Sequence, residues 1–295
     1  MNIINFGSLN IDRVYSVAGF VQAGQTIPSL SFQTFCGGKG LNQSIAAARA
    51  GAHVLHAGAI GPDGQMLEEC LQESGVDVSA LGHMDTATGH AVIQVDPSGQ
   101  NCIIVTSGAN VELTCEYIDA VLDRGCPGDI VLLQNEVNNL PYIMEQTHKR
   151  GFRLAVNPSP ITPELLKAPL EYADYLILNE IEGAQIADFT GTYPEILERL
   201  SEKFPHTAII LTLGSQGVLY RDACQTAKER CFPVTAVDTT AAGDTFCGYF
   251  LAGCIEGLSI QACLTLASQA AAIAVTKAGA SASIPTRDEV RSYRF

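Results

Sequence analysis

Positive charge is scarce in this chain. Its 295 residues include 17 Lys and Arg against 31 Asp and Glu, a formal net charge of -14 at pH 7. Nucleic acids and anionic membrane surfaces are held through dense Lys/Arg footprints, so neither is expected as a partner. A small anionic ligand stays open, because backbone N–H groups at a helix start hold phosphate whatever the net charge. Cys-x-x-Cys pairs are missing despite ten cysteines, and such scattered thiols read as reduced and cytoplasmic. The six histidines are scattered too. His53 and His56, three apart in a strand-like run, are expected on opposite faces, so a His/Cys metal centre is not expected. No apolar run reaches the roughly 18 residues of a membrane span, and Met1 to Phe6 lacks the basic and long apolar regions of a signal peptide. Internal repeats, low-complexity tracts and linkers are absent as well.

What the chain has in quantity is apolar bulk. Hydrophobic residues make up 47% and charged residues 16%. That balance predicts a large buried core of the kind that parallel sheets, covered on both faces, require. Ile3–Phe6 reads as a first strand, Gly38–Gly51 as an Ala-rich helix, His53–Ala59 as a strand and Asp63–Ser74 as a helix. Residues Asp12–Phe35 read as exposed strands, and two more, Ala91–Val95 and Cys102–Val105, flank the turn Asp96-Pro-Ser-Gly99. Strands then alternate with helices: Asp129–Leu133, Arg153–Val156, Tyr175–Leu178 and Ala208–Leu213, with helices Leu140–Arg150, Glu180–Phe189 and Pro194–Lys203 between them. Helices Ala242–Glu256 and Ile260–Thr276 are expected to close the chain. The alternation predicts a doubly wound, mainly parallel α/β sheet forming one domain over 1–295, with a small β-sheet inserted at about 11–36 and 89–107.

Ligands of such sheets collect beyond the carboxyl ends of the strands. Glu136, Asn157, Asn179 and Thr212-Leu-Gly214 fall at such ends on successive strands, which points to a site. Asp238-Thr-Thr-Ala-Ala-Gly-Asp-Thr-Phe246 is the sharpest feature. Its small residues Ala241, Ala242 and Gly243 precede a helix, so their N–H groups can converge on an anion, with Asp244 in the first turn beside it. Asp244 reads equally as a proton acceptor or as a carboxylate that only favours the helix dipole. Gly37-Gly-Lys-Gly40 lacks Walker A spacing, and no Gly-x-Gly-x-x-Gly follows the first strand, which weighs against a Rossmann dinucleotide site.

Taken together, Gly37-Gly-Lys-Gly-Leu-Asn-Gln43, Asn179-Glu-Ile-Glu182 and Asp238–Phe246 resemble the ribokinase-like (PfkB) family of carbohydrate kinases, from Ile3 to Pro285. The resemblance implies the ribokinase-like fold, its small sheet serving as a lid, and ATP-dependent phosphorylation of a small sugar, with D-ribose favoured. Alternatives are another sugar or nucleoside, or a non-catalytic sugar or nucleotide sensor. Asp244 is implied as general base and the N–H groups of Ala241, Ala242 and Gly243 as the anion hole. Asn10, Asp12, Gly38, Lys39, Asn42 and Glu136 match sugar-binding positions, and Thr212, Gly214, Ser215 and Gly217 match the nucleotide segment. Asn179 and Glu182 are implied to organise Mg²⁺ and its waters near the ATP phosphates. Asp238, Thr240, Ala274, Lys277, Gly279 and Ser283 match positions around K⁺, where Lys277 can offer only its carbonyl. Ser268 departs from the pattern, standing where many ribokinases carry a His near the adenine. A homodimer formed through the lid is also implied.

Overall fold

The computed structural model describes residues 2–295; Met1 lies outside them. Eight strands form the main sheet. From one edge the order is Thr226–Glu229, Val218–Arg221, Ala208–Thr212, Tyr175–Asn179, Arg153–Asn157, Ile130–Gln134, Ile3–Phe6 and Val54–Ala57. The pairings from Ala208–Thr212 to Val54–Ala57 are parallel, and the last two strands add an antiparallel hairpin. Alternate side chains of these strands serve two cores. Ile3, Ile130, Leu132, Ile177 and Ile210 face helices Lys39–Arg49, Ala242–Glu256 and Ile260–Ala274. Ile4, Val131, Leu133, Leu176 and Leu211 face helices Cys115–Leu122, Leu140–Lys149, Glu180–Ala187 and Tyr193–Lys203. Period-two alternation between two apolar layers explains why the central parallel strands are hydrophobic throughout.

A separate four-stranded sheet joins Ser31–Gly37, Asn10–Ser16, Gly89–Val95 and Asn101–Thr106 in that order. These strands fall within the two expected insertions. Asn10 and Asp12 are in register with Gly37 and Phe35 across one strand and with Gly89 and Ala91 across the other.

Two readings need correction. The run His53–Ala59 breaks at Gly58, where Val54–Ala57 stays in the main sheet and Ala59–Ile60 pairs with Gly82–His83 instead. An added Cβ at Gly58 would sit 2.6 Å from the Gly7 carbonyl oxygen, so the chain there has no room to continue as a regular strand. The chain does not close on Ile260–Ala274, because a capped helix, Arg287–Ser292, follows it. Its capping box, Thr286 with Glu289, was present in the sequence as Thr-x-x-Glu. His53 lies just before the strand and is exposed, whereas His56 is fully buried.

Candidate active site

Gly7–Asn10 leaves the first strand and Gln134–Glu136 leaves its neighbour, at the place where the strand order reverses direction. A crevice opens beyond the carboxyl ends at such a switch point. The Ser8 hydroxyl donates to Glu136 across this crevice, and Glu136 Oε2 also accepts the Lys39 N–H at 3.2 Å. Helix Lys39–Arg49 enters the same crevice because Gly40 packs on the backbone of Gly7 and Ser8, where an added Cβ would lie 2.3 Å from main-chain atoms.

Helix Ala242–Glu256 presses on that helix, with Gly248 against Ala46 and Ala47. The crossing brings Asp244 to Asn42 and Gln43. Asn42 Nδ2 donates to Asp244 Oδ2 at 3.1 Å and Gln43 Nε2 to Oδ1 at 2.9 Å. Asp244 is only 8% exposed, so two amide donors rather than water define its orientation. Behind it runs a line of buried amides that sequence reasoning did not assign. Gln134 Nε2 donates to Gln43 Oε1 at 2.7 Å and to Asn5 Oδ1 at 3.0 Å, and Asn5 Nδ2 donates to Ser44 Oγ and the Gly40 carbonyl. The Ser44 hydroxyl then meets His56 Nδ1 at 2.8 Å, and burial lowers the His56 pKa to about 4, leaving it neutral. Asn42 Oδ1 is buried without a partner among the described residues.

The start of helix Ala242–Glu256 has no side-chain cap, and Ala241 adopts φ 60°, ψ 9°. An L-residue held in this region costs about 1–2 kcal/mol. Strain of this kind is retained where the surrounding structure and a ligand site demand it. The Ala242 N–H makes a long 3.3 Å turn bond to Thr239, which refines the expected anion hole. The N–H groups of Gly243 and Asp244 lie in the first helical turn, which has no carbonyl to bond them. A Cβ added at Gly243 would meet nothing within 4 Å, so open space lies beside these donors.

Two cavities meet here. One of about 220 Å³ is lined by Lys39, Asn157, Asn179, Glu182, Ala241 and Asp244, among others. Burial pulls the Lys39 pKa down, but the carboxylates of Asp244, Glu136 and Glu182 more than offset it and the net shift is upward. The second, of about 330 Å³, is mostly apolar and takes in Thr212, Gly214, Ser215, Gly217 and Ser268. Thr212, Thr239, Ala242 and Gly243 line both. An apolar slot joined to an anion-binding helix start has the shape and chemistry for a nucleotide.

Asn179 and Glu182 form a capping box on helix Glu180–Ala187: Asn179 Oδ1 accepts the N–H groups of Ile181 and Glu182, and Glu182 accepts that of Asn179. Asn-x-x-Glu therefore has a structural task besides lining the cavity. The Asp12 carboxylate occupies the space of a Gly37 side chain, since a Cβ there would sit 2.1 Å from Oδ2. Burial, then repulsion from Glu136, raises its pKa to about 6. Asn110, also not foreseen, donates to Asn10 Oδ1 at 2.9 Å and clamps both backbone groups of Leu9. Asp238 accepts the Thr240 N–H and hydroxyl on one oxygen and the Gly279 N–H on the other, tying two loops together. The Lys277 ammonium is drawn off to Glu289 at 2.8 Å, while the Ala274 carbonyl accepts the Lys277 N–H. The Ser283 hydroxyl bonds the Ala280 carbonyl. Among the described residues no group of three or more His, Cys, Asp and Glu could hold a metal ion by itself, and no helix is long and apolar enough to cross a membrane.

Comparison with known proteins agrees with this geometry. The pfkB family carbohydrate kinase pattern matches residues 2–287. The ribokinase of Bacillus subtilis is 34% identical over 296 residues, covering 98% of this chain and 98% of its own. The crystal structure of ribokinase from Thermotoga maritima superposes with a TM-score of 0.87 at 35% identity, covering 99% of this chain and 98% of its own. The structure of Arabidopsis thaliana ribokinase complexed with ribose and ATP gives a TM-score of 0.87 at 27% identity, covering 99% of each chain. A match over nearly the whole length leaves one assignment: the chain belongs to the pfkB family of carbohydrate kinases.

Proposed function

We propose that the protein transfers the γ-phosphoryl group of ATP to the 5-hydroxyl of D-ribose, with Asp244 as general base. The observation that carries this reading is the buried Asp244 carboxylate, oriented by Asn42 and Gln43 beside the uncapped helix start. The adenosine fits the apolar cavity, and the phosphates run toward Gly243 and Lys39. Asp244 takes the hydroxyl proton as the new O–P bond forms and the bond to the leaving ADP breaks. The N–H groups of the helix start, Gly243 chief among them, and the Lys39 ammonium balance charge on the transferring group. Positioning and electrostatics of this kind supply most of the catalysis in phosphoryl transfer.

Asn10, Asp12, Asn42 and Glu136 with the Gly38–Lys39 turn form the sugar site in this reading. Asn110 orients Asn10 within it. A sugar that leaves these buried groups unpaired is rejected strongly. Ribose is favoured by the names of the relatives and by the ribose and ATP bound in the Arabidopsis enzyme.

Hard oxygen donors at Asn179 and Glu182 suit Mg²⁺ with its waters, which supplies charge neutralisation at the phosphates. Asp238, Thr240, Ala274, Lys277 (by its carbonyl), Gly279 and Ser283 are oxygen donors suited to K⁺, which supplies fixed positive charge behind the anion hole. Exposed apolar side chains on one face of the smaller sheet, Phe32 at 52% and Ile104 at 65%, support a lid that pairs with a second copy. Ten free cysteines support residence in the reducing cytoplasm. A coupled ATP-consumption assay over ribose, deoxyribose, fructose and nucleosides tests the reading. Ribose is expected to give the highest kcat/KM, and a nucleoside or fructose in first place would overturn the sugar assignment.

A further inference from the structure

One feature of this chain lies outside the kinase machinery but touches it. Cys36 is the penultimate residue of the lid strand Ser31–Gly37, and Cys70 lies on helix Gln65–Glu73, which packs against that strand. Both are partly exposed. The Cys36 thiol lies 3.5 Å from the Met66 carbonyl, one helical turn before Cys70, and close enough to the Cys70 sulfur for the two thiols to interact electrostatically. Ser281 joins the pair from the other side: its hydroxyl donates to the Cys36 carbonyl at 3.3 Å and lies 3.9 Å from Cys70 Sγ. Arg49, anchored on the Ser281 and Ile284 carbonyls, adds positive charge.

We propose that Cys36 and Cys70 form a peroxide-sensitive dithiol whose oxidation cross-links the lid strand to the body of the enzyme. The attacking group is the Cys70 thiolate. The hydrogen bond from Cys36, aided by Ser281 and Arg49 and opposed by burial and Glu73, lowers the Cys70 pKa to about 7. A thiolate that is partly exposed and next to a second thiol is the arrangement in which oxidation is selective and reversible. Hydrogen peroxide transfers one oxygen to Cys70, forming a sulfenic acid and releasing hydroxide. The Cys36 sulfur then attacks the Cys70 sulfur, its proton leaving with the departing oxygen as water. Overall two thiols are oxidised to one disulfide and one peroxide is reduced to two waters.

The consequence for activity follows from position. Cys36 precedes Gly37, whose backbone faces the Asp12 carboxylate, and the two side chains are close enough for Asp12 to repel a Cys36 thiolate. A covalent tie at this point fixes the end of the lid strand one residue from Gly37, against which the Asp12 carboxylate packs. A second thiol pair, Cys254 and Cys263, supplies an internal control, because Cys263 is fully buried and peroxide has no path to it.

The test treats the whole enzyme with hydrogen peroxide and reads both the cross-link and the rate. Peptide mapping is expected to show a Cys36–Cys70 disulfide and a mass loss of two hydrogens. Ribose phosphorylation should fall several-fold, chiefly through a higher sugar KM, and recover with dithiothreitol. Cys70→Ser and Cys36→Ser should each retain the starting activity and resist the reversible loss, while Cys254→Ser should behave as wild type. A map without the Cys36–Cys70 link overturns the proposal. Equal reversible inactivation of Cys70→Ser overturns it too. Since the cross-link is read by mass, its outcome is independent of which sugar the enzyme phosphorylates.

Discussion

Replacing Asp12 with Asn should stabilise the protein while damaging sugar use. The Asp12 pKa rises from 3.8 to about 6, because burial and then Glu136 disfavour its charged form. Between those values the native state binds more protons than the unfolded chain, so stability falls as pH rises through that window. The gap of roughly two pKa units sets a ceiling of roughly 3 kcal/mol at 1.36 kcal/mol per unit, and residual solvation brings the expectation to about 1–3 kcal/mol. Asn has nearly the same shape and no ionisation. Asp12→Asn should therefore match wild type below about pH 4 and gain stability progressively up to about pH 6, remaining ahead above it. Thermal melts of the ligand-free protein at several pH values check this, with an advantage of a few degrees expected at pH 8. Above about pH 6, where Asp12 is charged in the wild type, the variant's ribose KM should be at least tenfold higher, since the negatively charged acceptor is gone. An Asn variant that is less stable at pH 8, or whose advantage is the same at pH 4 and pH 8, would refute the assignment of a strained, functional carboxylate.

Two further outcomes follow from the packing. Gly37→Ala places a Cβ 2.1 Å from the present Asp12 Oδ2 position, so the carboxylate must swing away; sugar KM should rise about tenfold or more while ATP KM holds, and parallel changes in both would show a general disturbance instead. Gln134→Leu leaves Asn5 Oδ1 without its donor and Gln43 Oε1 with only the weak Cys247 thiol, costing about 1–3 kcal/mol of stability, and kcat should drop as Asp244 loses its alignment; unchanged kcat would show that Gln43 holds Asp244 without Gln134.

The strands and helices that carry the site were legible because each has a strong local signal. Helix Ala242–Glu256 has the predicted bounds, since small residues open it and Gly257 ends it in the left-handed conformation. The hairpin Val218–Arg221 and Thr226–Glu229 was not foreseen: its outer strand, Thr-Ala-Lys-Glu, is half exposed and carries no apolar run. Helix Cys115–Leu122 also escaped notice, although Thr114 caps it and Ile118, Val121 and Leu122 form its buried stripe. At the site, the motif residues were visible but their supports were not. Asn5 and Gln134 gave one readable sign, a polar side chain inside an apolar strand. Asn110 gave none, because its partners Leu9 and Asn10 stand about a hundred residues earlier and only the folded chain joins them. Environment-dependent properties, such as the raised pKa of Asp12, arise from that joining and have no local signature.

The central claim is that Asp244 removes the hydroxyl proton during phosphoryl transfer. Its most direct test is Asp244→Asn, which keeps the shape and one of the two oxygens that accept from Asn42 and Gln43. Turnover with ribose should fall by about 10²–10⁴, the range of general-base loss, while calorimetry finds ATP bound as tightly as in the wild type. Turnover within a few-fold of wild type would contradict the account.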